Sequence, residues 1–126
     1  MTSRRAARRT AFFLLYQWDV TDQPLASLYE GEVDEYALET AEAVAARVGE
    51  LDARITAAAE GWTADRLGAV ERNVLRIAVH ELESGSVPVE VAIDEAVTLA
   101  KRYATPEAAR LVNGILGRIA REREVA

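Results

Sequence analysis

An all-α fold is predicted for this 126-residue chain, with about seven helices in two packed small helical bundles. Three observations predict it. Alanine, leucine, glutamate and arginine dominate, all good helix formers, and few segments alternate with the two-residue period of a strand. The seven glycines and three prolines fall mostly between periodic segments, where they act as punctuation. The connectors are short, which favours antiparallel neighbours. No internal repeat or low-complexity linker divides residues 1–126, so they read as a single domain, long enough to bury a core without disulfides or metal.

The elements follow in order. Ser3 can cap a first helix reaching about Trp18, and Asp22 to Pro24 breaks the chain. Leu25 to Tyr29 has room for one short helical turn. Asp34 is the N-cap of a helix to about Val48, and Gly49 separates it from a stretch running from Glu50 to Glu60 that ends at Gly61. Trp62 to Gly68 is a connector with room for a turn, and Gly68 divides the two sub-bundles. A fifth helix spans about Ala69 to Glu83, with Val70, Val74, Ile77, Ala78 and Leu82 at helical spacing, and Ser84-Gly85-Ser86 ends it. Pro88 fits the first turn of a helix that reaches about Tyr103. Thr105-Pro106-Glu107 combines a capping hydroxyl, a proline at the first helical position and an acid at the positive helix end. That last helix should run to about Arg121, with a frayed tail from there to Ala126.

Charge is distributed unevenly. Arg4, Arg5, Arg8 and Arg9 give the first 18 positions a charge of +4, while the remaining 108 carry -10. An acidic chain with cations gathered at one end suits an arm that meets phosphate while the body meets another protein. The competing reading is an ordinary solvated helix start. Arginine outnumbers lysine fourteen to one, which reflects base composition, although guanidinium planes also suit RNA.

Chemistry is hard to place in this chain. It has no cysteine and one histidine, His80, whose neighbour Glu81 opens no metal-binding helix motif. Asp94 and Glu95 are consecutive on a helix, hence about 100° apart, and read as a polar face rather than an acid–base pair. No phosphate-binding glycine loop or nucleophile elbow is present. No apolar run approaches the roughly 20 residues of a membrane span. The chain therefore reads as a cytoplasmic, cofactor-free, non-enzymatic protein.

On the first helix, Ala7, Ala11, Leu14, Leu15 and Trp18 share a broad face suited to the core. Arg5, Arg9, Phe12 and Tyr16 form a separate stripe at spacings of four, three and four, with Arg4 and Arg8 along its edge. Alternating arginines and aromatics suit phosphate neutralisation with stacking on unpaired bases. Two readings stay open: an RNA surface, or core aromatics with arginines snorkelling around them.

Four segments together resemble the NusB family of transcription antitermination factors. They are the basic start followed by Ala11-Phe12-Phe13-Leu14-Leu15-Tyr16-Gln17-Trp18, the run Val70-Glu71-Arg72-Asn73-Val74-Leu75-Arg76-Ile77-Ala78 continuing to Glu81-Leu82, the run Val87 to Ala96 with Leu99-Ala100-Lys101, and Val112-Asn113-Gly114-Ile115-Leu116. Each is weak alone, but four in order at sensible spacing are strong. The resemblance implies two small helical bundles. It also implies binding of boxA RNA from ribosomal-operon transcripts together with NusE, a small-subunit ribosomal protein, with other Nus factors and RNA polymerase as indirect partners. By position it implies an RNA-contacting role for Arg4, Arg5 and Arg8, with Arg76, Arg110 and Leu111 near the RNA-facing surface. It associates Tyr16 and Glu71 with NusE. Leu111 stands where many relatives carry phenylalanine, which removes base stacking from that position.

Two alternatives come with the resemblance. NusB-like regions also resemble the N-terminal, non-catalytic part of ribosomal-RNA cytosine methyltransferases, although Arg121 to Ala126 reads as an end rather than a lead into a cofactor domain. A homodimer that buries the basic helix between two copies also stays open.

Overall fold

The computed structural model describes residues 3–125, and within them every regular element is helical. Six α-helices follow one another: α1 Arg4–Thr21, α2 Glu35–Ala46, α3 Val48–Ala58, α4 Ala69–Ser84, α5 Val89–Tyr103 and α6 Pro106–Val125. Single 3-10 turns at Leu25–Ser27 and Ala64–Arg66 occupy the two connectors where a turn was expected.

The caps explain most boundaries. Ser3 accepts from the Ala6 N–H at 3.1 Å, Asp34 from Ala37 at 3.1 Å, and Thr105 from Ala108 at 3.0 Å, each satisfying an otherwise orphaned donor. Helix α1 runs past Trp18 to Thr21 and stops where Asp22 turns left-handed at φ 59°, its N–H bonding the Trp18 carbonyl. Gly85 ends α4 in the same way at φ 67°, a conformation that a Cβ would strain.

Two boundaries differ from expectation. The break between α2 and α3 falls at Arg47 rather than Gly49, which lies inside the first turn of α3. Arg47 leaves helical geometry at φ -112° and ψ 19°, and its guanidinium bridges Glu50 on α3 and Glu83 on α4. The bend is thus fixed by a side chain that spans three helices. The last helix does not fray at Arg121 but continues to Val125, with Arg118 and Glu122 paired one turn apart at 3.2 Å.

Helix α4 is the hub and touches each of the other five helices. On one side α1 and α2 pack together against it. On the other side α5 and α6 form a hairpin over it, and α3 bridges α4 and α6. Apolar side chains from all six helices meet in one continuous core that includes Leu15, Val44, Ile55, Leu75, Leu99 and Leu116. The two bundles therefore share one interior, with α4 running through it.

Candidate functional site

The amino end of α1 carries the arginines, and the helix sorts them by direction. Arg4 and Arg5 are exposed and Arg9 is half-buried, but Arg8 is only 3 % exposed. Its Nε and Nη2 donate to both carboxylate oxygens of Glu81 on α4 at 2.8–3.1 Å, and Glu81 is 1 % exposed. The Tyr36 hydroxyl on α2 donates to the same carboxylate at 2.8 Å, and Glu95 on α5 stands 3.8 Å from Arg8. Burial opposes the Arg8 charge. The bonds to Glu81 and the Glu81 charge outweigh it and hold the guanidinium above its ordinary pKa.

The expectation grouped Arg8 with Arg4 and Arg5 as a surface cation, whereas the structure buries it and pairs its charge with Glu81 inside the protein. Arg8, Ala11, Phe12 and Leu15 are spaced i, i+3, i+4, i+7, so the sequence already placed Arg8 on the core face.

The anchor positions its neighbours. The Arg4 guanidinium lies over the Tyr36 ring, 3.7 Å from its centre. The Arg5 Nε donates to Glu95 at 3.0 Å while its side chain stays largely in solvent. Two cations are thereby presented on a helix end that is bolted to α2, α4 and α5.

The aromatic part of the stripe is shifted by one residue. Phe12 is buried at 2 %, stacked on Tyr103 of α5 with ring centres 5.6 Å apart, so it is a core residue and not a surface for bases. Phe13, which periodicity alone passed over, is 40 % exposed. The outward row is therefore Arg5, Arg9, Phe13 and Tyr16. Phe12, Phe13, Tyr16, Tyr103 and Val70 line a shallow hollow of about 250 Å³ at the far end of α1. Val70 adjoins Glu71 at the start of α4, so the fold brings Tyr16 and the Glu71 segment to one region.

Glu71 already has a local task. Its carboxylate accepts from the Gly68 N–H at 3.2 Å, the return half of a capping box whose other half a glycine N-cap cannot supply. A Cβ on Gly68 would lie 2.6 Å from Glu71 Oε2, so the glycine leaves room for this return contact.

The remaining polar residues of the α4 segment face inward. One oxygen of Asp19 on α1 accepts from Arg72 Nε at 2.8 Å, Asn73 Nδ2 at 2.8 Å and Arg76 Nη1 at 3.2 Å. Arg76 also grips Asp52 of α3 through two bonds of 2.7 Å. Arg76 is buried and fully engaged, which corrects its expected place near the RNA surface: it welds α1, α3 and α4 together. Among the described residues no buried side-chain nitrogen or oxygen lacks a partner.

Burial alone would raise the pKa of Asp19. The bonds from Arg72 and Asn73, with the charges of Arg76 and Arg72, overcome it and hold the carboxyl below the ordinary aspartate value. A depressed carboxyl contributes stability that is complete above the unfolded value of about 3.9 and is lost as pH falls through the folded value. Urea midpoints should therefore drop more steeply below about pH 4 in the parent protein than in Asp19→Asn, which has no such carboxyl to protonate. Parallel curves would remove Asp19 from the acid response.

Arg110 and Leu111 lie elsewhere, on α6. Arg110 is exposed with Glu107 at 3.4 Å, and Leu111 is half-buried. Both line a groove of about 390 Å³ between the end of α3 and α6, together with Trp62. The arm thus contacts α2, α4 and α5, whereas the groove is built by α3, its following connector and α6. Sequence reasoning missed Asp19, Asp52, Glu81 and Glu95 as partners of the arginines. It also missed Trp62, whose only signal was an aromatic in a polar connector.

Comparison with known proteins agrees with this geometry. Residues 5–121 match the NusB family. The transcription antitermination protein NusB of Solibacter usitatus is 38% identical, with 97% of this chain and 91% of that protein covered. The protein of the same name from Rubrobacter xylanophilus is 44% identical over 90% of this chain and 87% of its own length. The structure of NusB from T. maritima superposes with a TM-score of 0.84 at 37% identity, covering 96% of this chain and 92% of that one. A structure of the antitermination factors NusB and NusE in complex with double-stranded RNA gives 0.83 at 32% identity, with 94% and 96% covered. With the match spanning all six helices, the chain belongs to the NusB family.

Proposed function

We propose that this chain is a transcription antitermination factor that binds boxA RNA of ribosomal-operon transcripts together with NusE. One observation carries the reading: a single helix face offers Arg5 and Arg9 at one end, with Arg4 beside them, and Phe13 and Tyr16 at the other. From Arg9 to Tyr16 the rise is about 10 Å along the axis, enough to separate an RNA contact from a protein contact. A close structural relative is seen with both NusE and RNA, which supports assigning both partners. Other Nus factors and RNA polymerase would then be reached through this complex.

Membership of the NusB family supports a role in recognition rather than catalysis. Among the described residues no group of three or more His, Cys, Asp or Glu side chains could hold a metal, and none of the helices there is long and apolar enough to cross a membrane. The work assigned to it is recognition.

The experiment is a salt titration. Binding to a boxA oligonucleotide should weaken steeply as salt rises, and each phosphate-contacting arginine changed to alanine should lower the log–log slope by about 0.7 for a single strand. Arg4→Ala/Arg5→Ala should therefore flatten the slope by about 1.4 while the fold is kept, since both side chains are exposed. Unchanged affinity and slope would show that the arm does not meet RNA.

A further inference from the structure

We infer that Glu95 is a positioning residue for RNA binding: it holds Arg5 by Nε and so aims the open Nη tip of that guanidinium at a phosphate. This rests on the RNA-binding reading above and adds to it an acid that never touches the RNA.

Asp94 and Glu95 are adjacent on α5, and the turn of about 100° between them sends the two carboxylates to different surroundings. Asp94 is exposed, whereas Glu95 meets α1 and its side chain is only 12 % exposed. Each of its oxygens faces a different arginine. Oε1 accepts from Arg5 Nε at 3.0 Å, and Oε2 stands 3.8 Å from Arg8 Nη1. Arg8 is itself fixed to Glu81 through Nε and Nη2. The row Glu81, Arg8, Glu95, Arg5 therefore runs from a buried site on α4 to the surface of α1, with the charge alternating at every step.

The outer end of this row has room for one further anion. A guanidinium is a rigid planar fork with more N–H donors than one carboxylate can take. Glu95 takes the Nε donor, and the Arg5 side chain is 76 % exposed, so its Nη1 and Nη2 remain in water. Two donors side by side match two oxygens of a phosphate. A long side chain gives up rotamer freedom when it meets a ligand, and Arg5, held at Nε, has given up part of it beforehand. The Glu95 charge opposes a phosphate, but Arg8 behind it offsets that charge. An ammonium in place of the guanidinium has no planar fork, so a bond to Glu95 would not fix the direction of its remaining donors.

The test measures the full chain with a fluorescent single-stranded boxA oligonucleotide by anisotropy. Glu95→Ala and Glu95→Gln both remove the charge, but glutamine keeps an oxygen that can accept from Arg5 Nε, so the comparison isolates positioning. Ordering one long side chain corresponds to about a 2- to 13-fold change in affinity, and Glu95→Ala should bind more weakly than Glu95→Gln by that factor. In an Arg5→Ala background the two should bind alike, because no guanidinium is left to aim. Arg5→Lys should lose a similar factor while its salt slope stays near the parent's, since the charge is kept. Equal binding by Glu95→Ala and Glu95→Gln, or a difference that persists without Arg5, would overturn the assignment, as would parent-like affinity in Arg5→Lys. If Arg4→Ala/Arg5→Ala also binds like the parent, the arm does not meet RNA and the RNA reading falls with it. Circular dichroism checks folding, which is favoured because Arg8 keeps Glu81 in every variant. Arg5→Lys leaves α5 untouched, so it decides the matter even if Glu95→Ala is unfolded.

Discussion

Glu81→Ala is expected to destabilise the fold by about 3–5 kcal/mol, the cost typical of removing one partner from a buried ion pair. The carboxylate accepts both Arg8 bonds and the Tyr36 hydroxyl in a site closed to water. Without it the Arg8 guanidinium is left 97 % covered, with Glu95 at 3.8 Å as its nearest remaining acid. Urea denaturation reads the loss directly. Arg8→Leu/Glu81→Leu should recover much of it, because replacing both charges with apolar groups removes the stranded ion as well as the bond. That double variant also decides the role of Arg8 in RNA binding. If it folds and binds boxA RNA with an unchanged salt slope, Arg8 is an anchor for the arm. A slope lower by about 0.7 would instead show that the guanidinium leaves Glu81 to meet phosphate.

The same residues show how far the sequence can be read. Helix positions were legible because their signals are local: a hydroxyl or carboxylate at the N-cap, a glycine or a left-handed aspartate at the end, and an apolar stripe between. The exception at Arg47 is instructive, since the break there is set by Glu50 and Glu83, and Glu83 is far away in sequence. Charge counting went astray for a related reason. A guanidinium in a row of four looks like one quarter of a basic patch, but burial is decided by angle around the helix, and Arg8 points with Ala11 and Leu15. Arg76 was misplaced because its acids, Asp19 and Asp52, lie on two other helices. Phe12 and Phe13 differ by one position, or about 100°, which is the width of the stripe itself. Such an assignment needs a packed neighbour, here Tyr103, before it can be made. Trp62 had no periodic context at all and became meaningful only when α6 was placed beside it.

The second large effect concerns the proposed NusE surface, and it depends on separating two tasks of one carboxylate. Glu71 caps α4 through the Gly68 N–H and stands beside Val70 at the aromatic hollow that holds Tyr16. Glu71→Lys would remove the cap, place a cation at the positive end of the helix and turn attraction to a basic partner group into repulsion. The first two losses are local and total roughly 1–2 kcal/mol of stability. The third appears only in the complex, where losing a desolvated charge pair costs about 2–5 kcal/mol of binding. Glu71→Gln separates them. Glutamine can still accept from the Gly68 N–H, so stability should stay near that of the parent protein. Its charge is gone, so NusE affinity measured by calorimetry should still fall, by less than in Glu71→Lys because nothing repels. Tyr16→Asp should weaken the same complex by placing a carboxylate in the hollow between Phe13 and Val70, where its desolvation has no compensating partner. RNA binding by the free chain should survive all three changes, since the arginine arm is untouched. Parent-like NusE affinity in both Glu71→Gln and Tyr16→Asp, each shown to be folded, would place the protein contact on another face and leave Glu71 as a helix cap alone.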